Sequence, residues 1–190
     1  MIDNTQLKNQ IDEDISMIKN MLKTIQEESV YLTAKFILLS RYADLEKFLI
    51  DAYCQYLMGE SSITGFKPEP KIIFKDKETF DKFHSKMYDH VDLKLINKVY
   101  MVSFEKTNGD NKIPFYSIYN TKNLEFKKLT SIRNLIAHRS ESAQAEFEKE
   151  CALGAPLDLD EYLFKYNGSF YNFYENMNLM KELSNMMVDL

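Results

Sequence analysis

The sequence predicts an all-α protein, a single helical bundle of about five to seven helices spanning residues 1–190. Three observations carry that expectation. Turn-formers are scarce, with 5 Gly and 4 Pro in 190 residues, so the elements are few and long. Hydrophobic residues make up 45%, which supplies a core at this length and argues against a disordered chain. Apolar residues recur at spacings of three and four over several stretches, the period of an amphipathic helix.

In chain order, the first helix is expected over 5–27, on Leu7, Ile11, Ile15, Ile18, Met21/Leu22 and Ile25. A second, over 29–58, places Ala34, Leu38, Leu45, Phe48, Leu49, Ala52 and Tyr56 on one face. Arg41 lies in that stripe, so it needs an exposed edge or a carboxylate such as Asp44 or Glu46. Gly59, Gly65, Pro68 and Pro70 make 59–72 a loop, and "KIIF" at 71–74 is too short for a sheet. Helices follow at 77–90 and 92–105, then an irregular stretch near 107–120 that opens with the turn "TNGDNKIP". A helix from Thr121 to His138 and another over 141–151 come next. A loop near 152–167 begins at "LGAPLD". The last helix, 168–188, aligns Phe170, Phe173, Met177, Met180, Leu183 and Met187, a pattern of core or oligomer interface rather than of a ligand box.

Several functional classes are disfavoured. No run of 18 apolar residues occurs, so no membrane association through a span is expected. The first twenty residues are acidic and polar, without the basic and apolar regions of a secretory signal, so the expected location is cytoplasmic. Cys54 and Cys151 are isolated, which gives little support to a disulfide scaffold or a zinc site. His84 and His90 are six residues apart and match no standard ligand spacing. No metal and no cofactor is expected. The net charge of −5 disfavours coating nucleic acid by bulk electrostatics. The distribution is uneven, however. Lys122, Lys127, Lys128, Arg133 and Arg139 against Glu125 give residues 122–139 a net +4, leaving −9 on the rest.

That basic segment contains "SIRNLIAHRS", residues 131–140. At about 100° per residue from Phe126, Leu129 lies at about 300°, Ile132 at about 240°, Ile136 at about 280° and Ala137 at about 20°. These define the expected buried arc. Arg133, at about 340°, falls inside it, where a permanently charged guanidinium requires a partner or a wet cleft. Asn134 and His138 lie together at about 80° and 120°, so Arg133 and His138 are about 140° apart. They meet at one ligand only if the helix frays at His138 or a second subunit supplies the other residue. Ser140 and Ser142 are weak helix formers and good N-caps, which makes a break beside His138 reasonable. A purely structural reading stays open: Arg133 paired with a buried carboxylate, and His138 capping a helix C-terminus.

"RNLIAH" has the form Arg-Asn-x-x-x-His and resembles the Arg-x-x-x-x-His motif of the HEPN superfamily, on a late helix of a small bundle. "LLSRYADLEKFLIDAYCQY" is similar to the acidic-aromatic second helix of several HEPN groups. The resemblance implies a homodimer whose paired motifs line one cleft. It also implies a metal-independent endoribonuclease in a toxin–antitoxin or phage-defence setting, with an antitoxin or sensor protein as a further partner. Carried over, Arg133 binds the scissile phosphate, His138 moves a proton at the ribose 2′-hydroxyl or the leaving oxygen, and Asn134 orients His138 or donates to the phosphate. Lys127, Lys128 and Arg139 would guide RNA, although a lysine pair is also an ordinary solvated face. Independently of the resemblance, Glu46 and Asp51 could face the cleft and hold Arg133 or Arg41, although a structural salt bridge is the commoner role for such carboxylates. Where some family toxins carry a modifiable tyrosine two residues after the histidine, this chain has Ser140. The alternative function is a non-catalytic HEPN-like module binding RNA, a nucleotide or a protein.

Overall fold

The computed structural model describes residues 1–67, 73–87, 122–165 and 170–189. The all-α expectation is borne out: seven helical elements and no strand occur among the described residues. They are α1 (Thr5–Met21), α2 (Glu27–Leu57), α3 (Lys77–Met87), α4 (Asn123–His138), α5 (Glu141–Ala152), a π-helical turn (Glu161–Lys165) and α6 (Tyr171–Val188). The helix expected at 92–105, the turn at 107–114 and His90 lie outside the described residues.

Contacts divide the chain into two compact units, each assembled from separate stretches. The first comprises Met1–Asn4, Leu45–Thr121 and Leu183–Leu190. Its core holds Leu45, Leu49, Ala52, Tyr53, Tyr56, Phe74, Phe80, Leu183 and Met187. Here α2 closes on Gly59, whose φ of 79° suits a residue without Cβ. The Glu60 N–H bonds the Gln55 carbonyl at 3.0 Å and the Gly59 N–H bonds that of Tyr56 at 3.0 Å, the paired bonds that finish a helix at glycine. The last carbonyls of α6 are satisfied by side chains: Tyr56 donates to the Met187 carbonyl, and Ser62 donates to that of Val188 at 2.8 Å. Of "KIIF", the described Ile73 and Phe74 form no strand, and Phe74 is buried with its N–H on the Leu57 carbonyl at 2.8 Å.

The second unit comprises Thr5–Asp44 and Lys122–Glu182. Leu7, Ile11 and Ile18 of α1 are buried, as the spacing predicts, but α1 stops at Met21. The chain turns through the Thr24 N–H and Ile25 N–H, both bonded to the Met21 carbonyl. Ile25, expected on the apolar face, is therefore 45% exposed. An aromatic cluster fills the centre. Tyr31 stacks on Phe164 at 4.4 Å, and Phe164 packs on Phe170 at 4.8 Å and on Phe173 at 6.4 Å. Phe164 belongs to the π turn, which lies inside the stretch expected to be a loop.

Candidate functional site

The motif helix α4 ends as the residue types predict, one position later than a fray at His138 would require. It stays helical through His138, and Arg139 then takes a left-handed conformation (φ 47°, ψ 33°) with its N–H on the Leu135 carbonyl at 3.1 Å. Ser140 returns to extended backbone and caps α5, its hydroxyl oxygen accepting the Ala143 N–H at 3.2 Å. The chain thus reverses in two residues, and α5 packs back on α4. Replacing Ser140 by alanine should cost about 1 kcal/mol and lower Tm by about 2–4 °C. An unchanged melting curve would show that the cap does not hold this corner.

That reversal corrects the expected buried arc. The buried residues of α4 are Phe126, Leu129, Ser131, Ile132 and Leu135, whereas Ala137 is exposed and Ile136 half-buried. Folding α5 over the Ser131 and Leu135 side extends the arc that way and withdraws it from Ala137, which leaves Arg133, half-buried, near its margin. The guanidinium is half-buried, lies over the Tyr42 ring at 5.5 Å and donates to the Asn134 side-chain oxygen at 2.9 Å. Tyr42 is itself fixed. Thr130 donates to the Phe126 carbonyl at 2.8 Å, so the 3.0 Å contact between the Tyr42 and Thr130 hydroxyls has tyrosine as donor. A guanidinium stacked on an aromatic face keeps its charge while shedding part of its water.

His138 is exposed, the last residue of α4. Lys127, Asn134 and His138 stand at i, i+7 and i+11, one edge of the helix about 16 Å long. Lys127 and Lys128 are both exposed, with Lys128 farther round the helix. Lys122, by contrast, is committed to Glu182 at 2.7 Å. Arg133 and His138 remain about 140° apart on a continuous helix. Asn134 engages Arg133 rather than His138 in this conformation.

The other candidates divide similarly. Arg41, only 18% exposed, is bound by Asp14 at 2.7 Å, Asp44 at 2.5 Å and the Gln10 side-chain oxygen at 3.0 Å. It joins α1 to α2 as a structural bridge. Asp44 was one of the expected partners, while Asp14 and Gln10 come from a helix that sequence spacing does not connect to it. Asp51, in the first unit, lies within electrostatic reach of Lys77 and Cys54. Glu46 is half-buried in the same unit. Burial pushes the Cys54 thiol up to about 12, and both cysteines are free. Among the described residues no group of three or more His, Cys, Asp or Glu residues is placed to hold a metal, and no helix is long and apolar enough to cross a membrane. Tyr42 is the site residue that the sequence did not disclose. Its one available signal was an aromatic next to Arg41 on the second helix.

No protein-family model matches this chain, and no curated protein and no solved structure matches it.

Proposed function

We propose that the chain is a metal-independent endoribonuclease of the HEPN type whose active site is composed by two copies. The observation that supports this reading most is the pairing of a braced arginine with an exposed histidine on one helix that stays continuous between them. Arg133 is pre-positioned by Tyr42 and Asn134, so little ordering is left to be done when a phosphate binds. His138 stands in solvent at the helix end, able to take or give a proton. Since about 140° separates them, one phosphate meets both only when Arg133 comes from one copy and His138 from the other.

In that arrangement the Lys127–Asn134–His138 edge leads the RNA backbone toward the histidine. His138 takes the proton of the ribose 2′-hydroxyl, whose oxygen attacks the adjacent phosphorus. Arg133 of the facing copy offsets the charge growing on the phosphate oxygens, and the 5′-oxygen leaves with a proton from water, while His138 returns its own proton to solvent afterwards. The products are a 2′,3′-cyclic phosphate and a 5′-hydroxyl. The nucleophile belongs to the RNA, so the step calls for no metal. The toxin–antitoxin or phage-defence setting, with an antitoxin or sensor partner, follows from the family resemblance alone.

The test is incubation of end-labelled single-stranded RNA with purified protein and excess EDTA. The proposal expects cleavage that leaves cyclic-phosphate ends. RNA that is bound but stays intact would replace the enzyme with the non-catalytic module, and cleavage that stops with chelator would overturn the mechanism.

A further inference from the structure

We propose that the groove between α2 and α5 is a docking site for a basic amphipathic helix of a protein partner. The groove encloses about 760 Å³ and lies within the second unit. One wall is apolar: Leu32, Phe36 and Leu39 of α2 stand at i, i+4 and i+7, neighbours on one helix face. Leu32 is 48% and Phe36 61% exposed, so they form an apolar patch over two successive turns rather than a lone surface residue. The facing wall is Glu141, Ala145 and Glu148 of α5, again at i, i+4 and i+7, lengthened by Asp158. The end of α4, at Ile136 and Ala137, also lines the groove.

Charge decides among occupants. Lys35 is neutralised within the groove by Asp160, at 2.7 and 3.0 Å. That leaves Arg139 against Glu141, Glu148 and Asp158, a net negative wall. RNA is repelled by such a wall. A second copy docked symmetrically would set its acidic wall against this one, which is unfavourable. A helix with leucine-type residues on one side and Lys or Arg beside them satisfies both walls at once, the apolar anchors giving affinity and the charges giving selectivity. This inference does not depend on the ribonuclease reading.

The probe is a synthetic helical peptide of about 18 residues, five turns long, with leucines at i, i+3, i+4 and i+7 and lysines flanking them. A second peptide carries glutamate at every lysine position. Binding to the full chain is read by fluorescence anisotropy. The lysine peptide is expected to bind and the glutamate peptide not to. Phe36→Ala should weaken binding about tenfold or more, the effect of truncating an interface anchor. Glu141→Lys should weaken the lysine peptide and strengthen the glutamate peptide. Both side chains are exposed, so the variants should keep the wild-type circular dichroism spectrum. Equal binding of the two peptides, no binding of the lysine peptide, or indifference to Phe36→Ala would overturn the proposal. Self-association in sedimentation that disappears with Phe36→Ala, without peptide binding, would overturn it in favour of a second copy.

Discussion

His138→Ala is expected to lower RNA cleavage by about two to four orders of magnitude, the usual contribution of a positioned general acid or base, while leaving the fold intact. The second half of that expectation is what makes the first informative. His138 is the last residue of α4 and is exposed, so its loss opens no cavity. Alanine is the best helix former, and the corner that follows is held by backbone and by Ser140 rather than by the imidazole. Substitution of an exposed residue at a helix end usually changes stability by no more than about 0.5 kcal/mol, a small shift in Tm. Initial rates on labelled RNA with EDTA, set beside a melting curve, separate the two effects. Cleavage by the variant within twofold of wild type would remove His138 from the reaction.

Phe164→Ala is expected to have the largest effect on stability. The ring is essentially buried and touches Tyr31, Phe170 and Phe173 at once. Truncating a buried phenylalanine costs about 3–5 kcal/mol in total, and the loss of three aromatic neighbours places Phe164 at the upper end of that range. Against a typical total stability of about 5–15 kcal/mol, the second unit should unfold at much lower urea. A midpoint shift equivalent to less than about 1 kcal/mol would mean that the cluster does not organise this core.

Local signals were legible in the sequence and non-local ones were not. The ends of α2 and α4 could be read because Gly59 and the Ser140 region act within one helical turn of themselves. The buried face of α1 could be read because Leu7, Ile11 and Ile18 repeat at the helical period. Ile25 misled for the same reason: its spacing continued the pattern although the helix had ended at Met21. Arg133 was found but misplaced, because the wheel knew nothing of α5 folding over Ser131 and Leu135. The stacking of Arg133 on Tyr42 and the bridge from Arg41 to Asp14 depend on which helices pack together, and no local pattern encodes that choice. The Phe164 turn was hidden behind Gly154 and Pro156, which announce a break but not the buried aromatic just after it.

Mixing two inactive variants tests the composite site most directly. In a pair formed by one Arg133→Ala copy and one His138→Ala copy, one of the two composite sites keeps both wild-type residues. With free exchange half of the dimers are mixed, so about a quarter of wild-type cleavage should return from two preparations that are each inactive alone. If the mixture stays as inactive as its components while exchange is verified by tagged copies, the two residues do not act across a pair of chains.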